Sequence, residues 1–154
     1  MFRQLRRKNK EISIEEIEAL LINERRGVLA MNGDDGYPYA VPINYIYDKE
    51  ENKIFFHGSK IGHKADAIKN NDKVCFTVYG DETIKDEAWA PYLKSVVIFG
   101  RCKMIDSLDL LKKFANKYYP NEELIDEEIN KTKNAVQMYE IEIEHLSGKQ
   151  IQEK

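Results

Sequence analysis

The sequence predicts a mainly β domain: a closed or nearly closed antiparallel barrel with a few peripheral α-helices. Three observations carry that prediction. Strand-like apolar runs follow one another with turn residues between them, as antiparallel neighbours do. Helical periodicity is confined to short segments, two of them opened by serine caps. A chain of 154 residues, 42% apolar and 33% charged, suits one soluble unit with a real core, so 1–154 reads as a single domain.

The elements follow in order. Residues 1–10 carry Arg3, Arg6, Arg7, Lys8 and Lys10, a basic arm that is either flexible or in contact with a partner. Ser13 and Glu16 form a capping box, which starts a helix reaching Asn23. Ile14, Ile17, Leu20 and Leu21 share one of its faces. Residues 27–31 read as a strand, and the turn Asn32-Gly33-Asp34-Asp35-Gly36 closes a hairpin. The return strand runs from 37 or 39 to 47, and Pro42 within it demands a bulge or an edge. A turn at 48–52 leads to a third strand at 53–57, and a short helix follows at 65–70.

The fourth strand spans 72–79. Residues 80–93 are irregular and hold Trp89, the single tryptophan. A long fifth strand covers 95–105, where Gly100 signals a bend or a close backbone approach. Ser107 caps a helix that Pro120 ends, and the charged stretch 121–133 has room for one more short helix. A sixth strand at 136–143 turns Tyr139, Ile141 and Ile143 one way and Glu140, Glu142 and Glu144 the other.

Several function classes are disfavoured by the same residues. A net charge of -3 argues against a nucleic-acid partner. No apolar run approaches the roughly 20 residues of a membrane span, and the first residues lack the apolar stretch of a signal peptide. Cys75 and Cys102 sit in apolar runs without metal-ligand spacing, as buried reduced thiols of a cytoplasmic protein do. His57 and His63 have no third ligand at metal-site spacing, so no metal is expected. Neither a G-x-S-x-G elbow nor a Walker or Rossmann glycine pattern is present.

The informative stretch is Phe55-Phe56-His57-Gly58-Ser59-Lys60-Ile61-Gly62-His63-Lys64. A strand ends, a polar glycine-bearing turn follows, and a helix begins. Backbone N–H groups at a helix N-terminus attract anions, and lysine adds a point charge. A bound phosphate group suits this order, as does an ordinary Gly/Ser/Lys turn after a strand. Tyr37, Tyr39, Tyr45, Tyr47, Trp89 and Tyr92 supply aromatic surface for core packing or for a flat cofactor.

Five segments together resemble the flavin-binding split-barrel superfamily typified by pyridoxamine 5′-phosphate oxidase, and within it the nitroimidazole-resistance (Nim)-like group. They are residues 36–45 (GYPYAVPINY), 54–64 (IFFHGSKIGHK), 71–78 (NDKVCFTV), 92–100 (YLKSVVIFG) and 141–149 (IEIEHLSGK). The resemblance implies a six-stranded split β-barrel, a homodimer, and FMN in a groove at each subunit interface. It implies phosphate binding by Ser59, Lys60, His63 and Lys64, with His57 and Gly58 along the ribityl chain. The isoalloxazine would lie on Val41, Pro42, Ile43 and Asn44, and a second subunit would add its 89–97 region, including Tyr92 and Ser95. The chain departs from pyridoxamine phosphate oxidases at its C-terminal end, which lacks their basic R-L-x-P motif; only Arg101 follows Arg26. The Nim-like resemblance therefore implies reduction of a nitroaromatic or another small electron acceptor. A non-catalytic flavin- or haem-binding module and a nucleotide- or nucleic-acid-binding small barrel are the alternatives.

Overall fold

Turn chemistry sets the first hairpin. Asp35 and Gly36 take φ of 55° and 78°, and Gly33 N–H donates to the Tyr37 carbonyl at 2.9 Å. This joins β1 (Arg26–Asn32) to β2 (Pro38–Asn44) in an antiparallel pair. The computed structural model describes residues 1–84, 86 and 90–152. Its other strands are β3 (Ile46–Asp48), β4 (Lys53–Ser59), β5 (Lys73–Thr83), β6 (Tyr92–Ile105) and β7 (Val136–Gln152). The helices are α1 (Ile14–Asn23), α2 (His63–Asn70), α3 (Leu108–Tyr118) and α4 (Glu122–Thr132).

The strands form one antiparallel sheet in the order β2-β1-β5-β6-β7-β4-β3. Its two edges, β2 and β3, are consecutive in the chain and separated only by Tyr45. The sheet is therefore rolled until one chain segment serves both edges, which is the split-barrel architecture. Seven strands stand where six are expected, because the single run 37–47 breaks in two at Tyr45. Pro42 lies on the edge strand β2, where a missing N–H costs no central ladder bond.

Core residues follow the period of two. Leu29, Phe76, Ile98, Tyr139 and Ile141 are 0–1% exposed and fill the barrel. Phe56 stacks on Tyr139 at 4.9 Å, and Tyr45 meets Phe76 edge-on at 5.0 Å. Each such side chain contributes about 1.5–3 kcal/mol through burial. α1 adds Ile17, Leu20 and Leu21, while Ile14 of the same helix stays exposed. The capping box forms as expected: Ser13 Oγ accepts from Glu16 N–H, and the Glu16 carboxylate accepts from Ser13 N–H. A second cluster (Ile46, Phe55, Leu111, Phe114, Met138) packs α3 on the outside of β4 and β7.

One expectation for the last strands needs correction. β7 runs to Gln152, well past 143, because β6 pairs with it from Tyr92↔Gln152 to Ile105↔Met138. Glu140 lies on the face opposite Tyr139 and Ile141, as expected, and that face is covered. It is 6% exposed on the Phe55 side of the sheet and is paired with Lys53 at 3.2 Å. The β6–β7 register shifts between Phe99 and Gly100, where β7 carries one extra residue, Glu144. A Cβ on Gly100 would lie 2.3 Å from the Glu142 carbonyl oxygen. We therefore expect Gly100→Ala to lower stability by about 2–3 kcal/mol in urea unfolding, as overpacking against backbone does.

Candidate functional site

The site is built where β4 hands over to α2. Ile54 and Phe56 point into the barrel, so Gly58 does too, while His57 and Ser59 point out. Ser59 Oγ accepts from Ile61 N–H at 3.3 Å, and the Ser59 carbonyl accepts from the buried Tyr139 hydroxyl at 2.7 Å. These bonds fix both sides of the turn. Gly62 then takes φ 120° and ψ 177°, a region that side chains with a Cβ essentially avoid. It is the N-cap of α2, and no side chain caps that helix. The first N–H groups of α2 are thus left to face an external acceptor.

Lys64 belongs to this turn but folds inward. Its ammonium lies 5.6 Å from the Phe56 ring centroid. A Cβ on Gly58 would come within 3.1 Å of its Cε and Nζ, so the glycine makes room for the lysine. Burial holds the Lys64 pKa below the usual lysine range, opposed by Cys102. Burial in turn pushes the Cys102 thiol up to about 12. Among the described residues no carboxylate pairs with Lys64. A half-buried cation without a counter-ion beside an uncapped helix N-terminus is a fit for phosphate. Lys60 is exposed on the same turn. His63 stacks on Tyr39 at 3.9 Å and approaches Asp34 of the β1–β2 hairpin at 3.6 Å. That contact brings β2 alongside the turn.

His57 faces elsewhere. Its ring meets Phe114 of α3 edge-on at 4.5 Å and opens into a cleft of about 580 Å³ between α3, α4 and β4. Leu111, Ala115, Leu124, Ile125 and Ile129 line most of that cleft. Burial, and then Lys64, lower the His57 pKa, which favours the neutral imidazole. Alternation along β4 already carried the signal that His57 and Gly58 lie on opposite faces.

Val41 and Ile43 of β2 face the core, whereas Pro42 and Asn44 face outward. Outward positions form rows across five strands. One row is Pro42, Val28, Thr77, Val97 and Ser147; the next is Ala40, Ala30, Cys75, Phe99 and His145. None of these residues is buried, and apart from His145 none is ionisable below the range of a thiol. Ser95 pairs with Tyr79 and Lys149 in the row beyond, and Tyr92 pairs with Gln152. Gln152 sits 16 residues along β7 from Val136, which pairs with Ser59. At about 3.3 Å per residue the strand path exceeds about 50 Å, so Tyr92 and the α2 turn stand at opposite ends of β7. Trp89 lies outside the described residues.

Sequence reasoning missed the device that holds the end of β2. Tyr45 N–H donates to the Tyr118 hydroxyl at 2.8 Å, and the Tyr45 carbonyl accepts from Lys117 Nζ at 3.0 Å. Lys117 also donates to the Glu24 carbonyl at 2.7 Å. Burial and the neighbouring Arg25 bring the Lys117 pKa down to about 8, against Glu24. Two residues of α3 thus satisfy the strand break next to Asn44. Among the described residues no three His, Cys, Asp or Glu side chains gather as a metal site, and no helix is long and apolar enough to cross a membrane.

Known structures share this fold. One is assigned as a 5-nitroimidazole antibiotic resistance protein of Bacteroides thetaiotaomicron: 15% identity over 90% of this chain and 84% of that one, TM-score 0.71. A FAD-binding protein of Mesorhizobium loti gives 22% identity over 92% and 97%, TM-score 0.65. A FAD- and haem-binding protein of Mycobacterium smegmatis gives 18% identity over 96% and 75%, TM-score 0.67. No curated protein matches the sequence. Residues 13–150, which include β1 to β6, all but the last two residues of β7 and the whole α2 turn, match the pattern of the pyridoxamine 5′-phosphate oxidase family, and the chain belongs to that family.

Proposed function

We propose that the protein is an FMN-dependent oxidoreductase that reduces a nitroaromatic of the 5-nitroimidazole type or another small electron acceptor. The observation that carries this reading is the uncapped α2 N-terminus with the unpaired Lys64 beneath it. In this reading Ser59, Lys60, His63 and Lys64 hold the phosphate, and Gly58 keeps the approach open. Val41, Pro42, Ile43 and Asn44 offer one unpaired strand edge, since β2 pairs only with β1. Bound FMN would supply the electron transfer. The chain's own part is to orient the ring along β2 and to exclude water with the apolar rows beside it.

The part-exposed rows from Pro42 to Ser147 and from Ala40 to His145, the second capped by Phe2 at Phe99 and His145, support a homodimer, with Tyr92 and Ser95 reaching the partner's cofactor. Their distance from the α2 turn within one chain favours that arrangement. The similarity to FAD- and flavin–haem-binding proteins, and the location of His57 on an apolar cleft, favour a second reading as a non-catalytic flavin or haem carrier. An absorbance spectrum of the purified protein separates the two. We expect flavin bands that a reductant bleaches and that a nitroimidazole restores. A colourless protein that takes up no FMN would refute both flavin readings, and a Soret band would favour haem.

A further inference from the structure

We infer that the N-terminal arm and the end of β7 form a second anion site, built for an organic diphosphate. Arg6, Arg7, Lys10 and Lys149 surround a pocket of about 210 Å³, joined by Gln150 and Gln152. The arm is tied in place rather than loosely draped. Lys10 N–H donates to the Arg7 carbonyl at 3.0 Å, and Ile12 N–H donates to the Gly148 carbonyl at 3.2 Å. Lys10 Nζ reaches the Gln152 side-chain oxygen at 3.5 Å, and Glu11 bridges Lys149 through its backbone. Gly148 permits this approach: a Cβ there would sit 2.8 Å from Ile12 and 2.5 Å from Ile17.

Four cations line this one pocket. Carboxylates pair several cations elsewhere on the strands. Arg101 binds Asp72 and Glu144, Lys94 binds Glu16 and Asp81, and Lys53 binds Glu140. Among the described residues, none of Arg6, Arg7, Lys10 and Lys149 has a carboxylate partner. Four cations around one pocket set a positive local potential that favours an anion. Arginine forks suit phosphate oxygens, and the volume fits a diphosphate rather than a whole nucleotide.

The pocket adjoins the residues assigned to the partner's cofactor groove. Lys149 pairs with Ser95, and Gln152 donates to the Tyr92 hydroxyl at 2.9 Å. The identity of the diphosphate carrier, though not the site itself, rests on the flavin reading: it belongs either to the adenylyl arm of FAD or to a nicotinamide dinucleotide donor.

Calorimetric titration of the full chain with ADP and with inorganic pyrophosphate at low salt tests the site. We expect binding that weakens with added salt and falls at least tenfold in Arg6→Ala/Arg7→Ala/Lys149→Ala. Absence of binding by the wild type, or equal binding by the triple variant, overturns the proposal. Two further arms identify the carrier. FAD binding more tightly than FMN, with the advantage lost in the variant, assigns it to FAD. Equal flavin affinities with a raised KM for the dinucleotide in the variant assign it to the donor. A protein that binds ADP through the arm but takes up no flavin retains this site and refutes the flavin reading alone.

Discussion

Changing Lys60 and Lys64 together to alanine is expected to weaken FMN binding on the order of 100-fold while the fold persists. That factor corresponds to the low end, about 3 kcal/mol, of what two charge-assisted contacts to a phosphate contribute. Lys64 carries most of it. Its ammonium is half-buried near Phe56 with no described carboxylate beside it, and burial lowers its pKa. In the free protein that burial disfavours the charged form, so removing the lysine relieves a cost and offsets the lost packing of its stem. Thermal unfolding without flavin should therefore change little, which separates a binding defect from a folding defect.

The pH dependence has a definite sign. Affinity is full where free Lys64 is protonated and declines as pH rises through its lowered pKa, earlier than for an ordinary lysine. In the double variant this alkaline decline disappears. Fluorescence titration of FMN across pH measures both effects. Unchanged affinity in the variant would remove the α2 turn from the phosphate assignment.

The turn was legible because its signals are local. The apolar run ending at His57 stops a strand, and Gly62 with its φ of 120° is a position where glycine is written into the sequence by backbone geometry. Most strands were legible for the same reason, through period-two alternation and turn residues. The break at Tyr45 was not, because Ile43, Tyr45 and Tyr47 continue the alternation straight through it. What breaks the strand is a hydrogen-bond set from Tyr118 and Lys117, more than 70 residues away in sequence. Alternation placed Glu140 on the correct face, but only the packing of α3 shows that this face is covered. The length of β7 was hidden because the clear alternation stops near Ile143, whereas Ser147, Gly148 and Lys149 are still strand opposite β6.

That distant hydrogen-bond set gives the second large expected effect. Tyr118→Phe should destabilise the protein by about 2–3 kcal/mol, with a fall in Tm of about 5–10 °C for a chain of this length. The hydroxyl accepts from Tyr45 N–H at 2.8 Å and lies 2.5 Å from the carbonyls of both Arg25 and Tyr45. Its single proton serves one carbonyl, and Lys117 covers Tyr45 at 3.0 Å. Tyr45 itself is 0% exposed, and its own hydroxyl donates to the Leu21 carbonyl at 2.7 Å. Phenylalanine keeps the ring that stacks on Phe114 at 4.9 Å, so the loss isolates the hydroxyl. The Tyr45 N–H is then buried with no acceptor, the costly side of a broken hydrogen bond. Because Tyr45 follows Asn44 directly, the same change loosens the end of β2. A flavin held along β2 should then bind more weakly, whereas a ligand held only by the α2 turn would not feel the change. Comparing FMN with inorganic phosphate on Tyr118→Phe, below its melting range, therefore reports whether β2 carries the ring. Equal losses for both ligands would assign the effect to general unfolding.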